Sequence, residues 1–334
     1  MLKRLVFGAV FLAQPVMAEQ LLVNDALDAH ILPRYEVLAE STAHLHDAAQ
    51  TSCASNAPDL RQAFGQAFDG WVGVSHIRTG PSEENERAFA IAFWPDTKGF
   101  TPKSLATLIR DQDPVVQDPV EFKTLSIAAR GLYALEFLLY DPAFVSEAKE
   151  GYHCDLVKAI TTEIARNASE IRNAWQSYQA KLREPSPDGP YRDETEALRE
   201  VYKALGTGLQ FTADARLGRP LGTFERPRPK RAEARRSQRS LRHVEVSLQS
   251  TYELALILSQ TELDIRQSLR LAFDRAFELA AALEDSDFSG VADPMARFRV
   301  EVLQQSILRI MDILTLELAP ALGVNPGFNA LDGD

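Results

Sequence analysis

Gly131-Leu-Tyr-Ala-Leu-Glu-Phe-Leu-Leu-Tyr-Asp141 sets one carboxylate, Glu136, inside an otherwise apolar run that reads as helix. Buried carboxylates are uncommon and need a partner, a ligand or a raised pKa. Tyr133, Glu136 and Tyr140 stand at i, i+3 and i+7 and so share one helix face. Two readings follow. Glu136 is tolerated at the rim of a core with tyrosine hydroxyls nearby, or it belongs to a polar site built into a helix bundle. Spacing alone favours the first.

Outward from this run the chain reads as helix after helix. Asn24 caps a first helix to about Thr51, with Pro33 as its kink or its true start. Pro58 opens a second, on which Leu60, Phe64, Phe68 and Trp71 repeat at helical spacing. Thr101-Pro102 starts a short helix to about Asp111. Residues 119–139 read as helical, with a weak point at Gly131. Residues 154–182 form a long amphipathic helix whose apolar face carries Leu156, Ile160, Ile164, Ile171 and Trp175. Glu184-Pro-Ser-Pro-Asp-Gly-Pro190 is dense in turn residues and reads as a linker. A second helical set is expected at about 192–216, 238–259, 261–284 and 294–318. No alternating run of β-branched residues supports a sheet. The expected class is all-α, with helical halves at about 24–183 and 191–320 and a tail over 321–334.

The chain of 334 residues is long enough for a sizeable core, and its 45% apolar and 25% charged content is ordinary. Lys3-Arg4, the apolar Leu5–Leu12 and the small-residue Val16-Met-Ala18 have the pattern of a secretory leader cleaved after Ala18. The apolar run is too short to span a bilayer. A periplasmic or secreted protein is therefore expected, with no transmembrane segment after leader removal. Without Lys3 and Arg4, two basic residues fewer, the formal charge moves from −11 to −13. Such acidity argues against nucleic acid as a partner.

Gly131-x-Tyr133-x-x-Glu136 followed by Phe-Leu-Leu-Tyr resembles the Gly-x-His-x-x-Glu motif of imelysin-like proteins, with tyrosine in the histidine place. Four further stretches agree with that family in order. They are Trp71…His76-Ile-Arg-Thr-Gly-Pro81, Phe93-Trp-Pro-Asp96 with Lys98-Gly99, Arg235-Arg-Ser-Gln-Arg-Ser-Leu241 and Gly327-Phe-Asn-Ala-Leu-Asp-Gly-Asp334. The resemblance covers nearly the whole mature chain. It implies an all-α, two-part bundle outside the cytoplasm, with its halves face to face and a link to iron uptake. It leaves the ligand unknown, with iron or haem as the suggested class and a membrane iron-uptake system as the suggested partner. It also carries a proposed peptidase activity. The tyrosine counts against that activity, because a phenol with a pKa of about 10 is a poor zinc ligand at neutral pH. As phenolate it can still ligate ferric iron. No His-Glu-x-x-His helix appears elsewhere.

Cys53 and Cys154 are the only cysteines. In an exported chain they most simply form one disulfide, and cysteines near these places recur in the family pattern. His76 and Arg78 end the Trp71 helix, as a basic last turn or as partners of Glu136. Trp94 is a candidate site wall and Asp96 a polar contact. Arg236 and Arg239 can reach acids of the other half, and Ser237 and Ser240 read as cap or core hydroxyls. Glu225-Arg-Pro-Arg-Pro-Lys-Arg231 reads as a solvated loop. Glu36, Glu40 and His44 line up on the first helix, where a solvated stripe outweighs a metal site.

The functional expectation is a binding or accessory component of iron or haem acquisition. The alternatives are a metal-dependent peptidase and a non-catalytic interaction protein. The candidate ligand-binding residues are Tyr133, Glu136, His76, Arg78, Trp94, Asp96, Arg236, Ser237 and Ser240, with Glu136 the candidate metal ligand and no catalytic residue named. Glu136 is expected to be buried at the junction of the halves, held by Tyr133 and by Arg78 or Arg236.

Overall fold

The computed structural model describes residues 14–148 and 150–325. Most of the expected leader (residues 1–13 of 1–18) and the tail motif Gly327–Asp334 lie outside them. The described chain is all-α. Its first half contains α1 (Gln14–Ala26), α2 (Leu32–Thr51), α3 (Pro58–Val74), α4 (Arg87–Ile91), α5 (Phe100–Asp111), α6 (Pro119–Phe122), α7 (Gly131–Tyr140) and α8 (Tyr152–Arg183). After the turn-rich 184–190 segment come α9 (Glu194–Gln210), α10 (Gly218–Leu221), α11 (Ser240–Leu258), α12 (Leu263–Ala281), α13 (Pro294–Ile313) and α14 (Ala319–Ala321).

Two expected boundaries move. The first helix begins by Gln14, ahead of Asn24, and does not break at Pro33. Proline cannot donate to the carbonyl four residues back, and its ring crowds that group. The chain absorbs this as a wide π turn, Leu27–Ile31, just before α2. The expected 119–139 helix is two pieces. α6 ends at Phe122, and α7 begins at Gly131 with φ +77°. A β-carbon there would lie 2.5 Å from the Ile91 carbonyl oxygen and 2.6 Å from that of Ala90, so only glycine fits.

The apolar faces decide the packing. α2, α3 and α8 pack together, with Tyr35 stacked on Trp175 and Phe64 against Phe68. α9, α11, α12 and α13 form the second set around Phe273, Leu303 and Ile307, all fully buried. α11 lies on α3, and α1 crosses to α9 and α11, so the two sets share a long junction. Cys53, just beyond α2, is disulfide-bonded to Cys154 in the first turn of α8, 101 residues on. Chain entropy gives a loop of that length about 4–5 kcal/mol. No helix among the described residues is long and apolar enough to cross a membrane.

Candidate functional site

α7 enters the junction with Tyr133 and Glu136 both buried. The segment Glu233–Ser237 runs beside it and separates the two. The Tyr133 hydroxyl donates to Glu233 Oε1. One turn on, Glu136 Oε1 accepts from the Ser237 backbone N–H at 2.9 Å and from its hydroxyl at 2.8 Å. The expected Tyr133–Glu136 contact is therefore replaced by two parallel contacts to one segment.

Glu233 is the charged centre. Its Oε2 accepts from Arg216 Nε at 2.8 Å and lies 3.1 Å from His243 Nδ1. Burial alone would raise its pKa. Arg216 and then His243 outweigh that, and the carboxyl sits at about 2. Arg216 is carried on a π turn, Phe211–Leu217, and is 2% exposed. It also donates to the Thr212 and Ser247 hydroxyls, each at 3.1 Å. Its charge is thus matched by one carboxylate and two hydroxyls, the conditions a buried guanidinium needs.

Glu136 has no such cation in contact. Burial raises its pKa, opposed in part by the two bonds from Ser237. The two arginines expected on it are engaged elsewhere. Arg78 makes paired bonds to Glu83 at 2.5 and 3.0 Å and lies over Phe89. Arg236 binds Asp141 at 2.5 Å, with its guanidinium 3.5 Å above the Phe137 ring. Both prefer solvated carboxylates at the junction's edge, where charge costs less to place.

A cavity of about 520 Å³ opens beside this network. Trp94, Tyr133 and Phe211 form an aromatic wall. Trp94 lies near-parallel to Tyr133 at 6.3 Å and edge-on to Phe211 at 5.8 Å. His76 closes one side, and Arg78, Glu83, Glu200 and Lys203 complete the polar lining. Gly208 leaves room for this: a β-carbon there would sit 2.6 Å from His76 Cβ.

His76 belongs to a chain of polar groups. Glu253 binds Arg34 at 2.5 Å, and Arg34 Nε donates to His30 Nδ1 at 3.1 Å. The Nε2 atoms of His30 and His76 are 2.9 Å apart. Since His30 Nδ1 accepts, its neutral ring carries the proton on Nε2 and donates it to His76. Burial first, then the charges of Arg34 and Arg216, take His76 to about 3. His76 is therefore a neutral imidazole with its own proton on Nδ1 at any physiological pH.

The remaining candidates hold structure. Both Asp96 oxygens accept α5 backbone N–H groups, Phe100 at 3.0 Å and Thr101 at 2.8 Å, so Asp96 caps a helix rather than reaching the cavity. Ser240 donates to the Glu233 carbonyl and fixes the segment that carries that acid. Glu36 binds Arg172 and His44 lies beside Gln66, on the protein surface. Glu233, Arg216, His243 and His30 were not expected from sequence. The available signal was Glu233 itself, an acid between two alanines in a basic stretch, the same kind of anomaly that marks Glu136.

Tyr133 and Glu136 do not fit a shared metal ion. Burial first, and then the Glu233 charge, hold the phenol well above 10. Its hydroxyl and the Glu136 carboxylate are turned to different partners. Among the described residues no three His, Cys, Asp or Glu side chains gather in a metal-holding group.

No functionally curated protein matches the chain. Among solved structures it is similar to an imelysin-like protein from Psychrobacter arcticum 273-4, with 18% identity, TM-score 0.79, and 96% of this chain and 100% of that one covered. It is also similar to a proposed iron-regulated protein A precursor from Parabacteroides distasonis ATCC 8503, with 12% identity, TM-score 0.73, and 91% and 95% covered. At such identities the likeness establishes the fold. The sequence profile of the family described as imelysin, peptidase M75, matches residues 31–313, which takes in α7, the Glu233 segment and every wall of the cavity. The chain therefore belongs to the imelysin family.

Proposed function

We propose that this protein is an exported, non-proteolytic binding component of iron or haem acquisition. In this reading the cavity between two helical halves, joined by the 184–190 linker, takes a small organic iron carrier. The supporting observation is the pairing of Tyr133 with Glu233. It uses the motif tyrosine as a hydrogen-bond donor and leaves its ring as part of an aromatic wall. A cavity of about 520 Å³ is in the usual range for a small ligand. Arg78, Lys203 and Arg216 balance Glu83, Glu200 and Glu233 in its lining, which suits a flat ligand of low net charge. Trp94 and Tyr133 provide stacking surface, and the His76 Nδ1 proton provides a donor. Export to the periplasm or beyond and delivery to a membrane uptake system complete the reading.

Titration with haem and with a ferric carrier, followed by tryptophan fluorescence and thermal melting, tests it. Binding is expected to quench fluorescence and to raise the melting temperature, since a ligand at about 100 times its Kd adds about 2.7 kcal/mol. Trp94→Ala and Arg78→Ala should each weaken binding about tenfold. No stabilisation by any iron species would remove the binding reading. Chelator-sensitive peptide cleavage lost in Glu136→Gln would put a metallopeptidase in its place.

A further inference from the structure

The loop from Arg219 to Arg231 carries Arg219, Arg226, Arg228, Lys230 and Arg231, with Glu225 as its one acid. None of these five cations makes an ion pair among the described residues. They repel one another instead. Desolvation first, then Arg226 and Arg231, lower the Arg228 guanidinium, and burial first, then Arg231, lower that of Arg219. A protein of net charge −11 has many acids to offer them. Elsewhere at the junction, Arg236, Arg239 and Arg242 all find carboxylates.

The loop is built to stand out from the body. Gly222 turns it with φ +56°, in a space where a β-carbon would meet the Arg226 carbonyl at 2.6 Å. Pro227 and Pro229 stiffen it. At its turn Phe224 is 70% exposed, an uncommon position for a phenylalanine. Arg297 of α13 anchors the base by donating to the Leu221 and Thr223 carbonyls, at 2.5 and 3.3 Å. The same end of α13 exposes Met295 and Phe298. The Asp293 carboxylate nearby is taken up in capping that helix.

We propose that this loop docks the protein on membranes rich in anionic phospholipid, with Phe224 entering the acyl boundary and Arg226, Arg228, Lys230 and Arg231 meeting headgroup phosphates. Unpaired cations around an exposed aromatic match such a surface in both charge and polarity. An acidic protein partner would account for the charges but not for Phe224, whose ring has the Arg297 guanidinium 5.8 Å from its centroid and is still 70% exposed. Arg219 also lies over Trp94, 5.4 Å from its ring centroid, so the docked face adjoins the cavity wall.

Sedimentation of the purified protein with phosphatidylglycerol–phosphatidylcholine vesicles, against phosphatidylcholine alone, tests this at low and high salt. Binding is expected only to the anionic vesicles, with release at high salt as screening shortens. Each cation contributes about fivefold, so the variant R226Q/R228Q/K230Q/R231Q should lose two to three orders of magnitude in partitioning, on the order of fivefold per charge. Phe224→Ser should lose about tenfold and keep the salt dependence. Should the fourfold variant melt early, Lys230→Gln alone, expected at about fivefold, decides the question. Failure of the parent to bind anionic vesicles at low salt overturns the proposal, as does equal binding by the fourfold variant. Retention on poly-glutamate as strong as on vesicles, with Phe224→Ser unaffected, would assign the surface to an acidic protein and overturn the lipid reading.

Discussion

Glu136 and Glu233 are each 2% exposed and flank the same short segment, yet the fold treats them in opposite ways. Glu233 has a guanidinium, an imidazole and a phenol on its two oxygens, and its pKa falls to about 2. Glu136 has a serine N–H and hydroxyl on one oxygen, and its pKa rises. Burial is thus a common cost, and the partners decide whether the charge survives it. Ion-paired Glu233 beside the cavity is a fixed charge. Glu136 is a carboxyl whose pKa burial raises and Ser237 only partly restores.

Removing the guanidinium is the strongest way to break this contrast. Arg216→Met leaves Glu233 buried and short of its main partner, and a loss of about 3–5 kcal/mol is expected in urea melts. Arg236→Met removes a pair with Asp141 in which each side chain is about one-fifth exposed, still in reach of water, and about 0–1 kcal/mol is expected. Equal losses would mean that Glu136 leans on Arg236 as Glu233 leans on Arg216, and the contrast would be gone.

The two acids should also give stability curves of opposite slope. The folded pKa of Glu233 lies below its unfolded value of about 4.5, so its contribution is present above that pH. It should fade as pH falls from about 4.5 to about 2, by roughly 3 kcal/mol in all. The folded pKa of Glu136 lies above its unfolded value. Its contribution is therefore present below about pH 4.5 and fades as pH rises through the folded value. Urea midpoints of the parent, Glu233→Gln and Glu136→Gln across this range test both signs. Flattening in the same direction for both variants would erase the distinction.

Two smaller effects sharpen it. Ser237→Ala takes one of two donors from Glu136 and should cost about 1–2 kcal/mol at neutral pH, less once the carboxyl is protonated. Tyr133→His places at 133 the ring that the motif resemblance calls for. It should nevertheless leave zinc affinity at the parent level in calorimetry, because Glu136 stays bound to Ser237 and faces away. A gain in zinc binding would show that the ring alone was missing.

Much of the fold was legible. α3 and α8 follow from apolar residues at helical spacing, and the break between α8 and α9 follows from the prolines and glycine of 184–190. The cysteine pair followed from export and the family pattern together. Glu136 was recognisable as buried because Leu135, Phe137, Leu138 and Leu139 leave it little choice. Its partners were not recognisable. Tyr133 and Glu136 share a helix face, but a segment a hundred residues away passes between them and claims one each. Arg216 and Glu233 lie 17 residues apart in a stretch without period, where pairing is decided only once α11 packs on α3. Pro33 does mark the start of α2 at Leu32, but the π turn before it carries the helix on from α1, and no sequence pattern announces that turn.

Gly131 separates two roles that the motif writes as one. Its backbone seats α7 against the carbonyls of Ala90 and Ile91, and the next three residues lead to Trp94. One contact therefore sets the position of both the tyrosine and the wall opposite it, whatever ring stands at 133. Shape is inherited through the glycine, while chemistry is free to vary two residues later. The ring at 133 can therefore change its hydrogen-bond partner on the facing segment without moving the backbone that carries it.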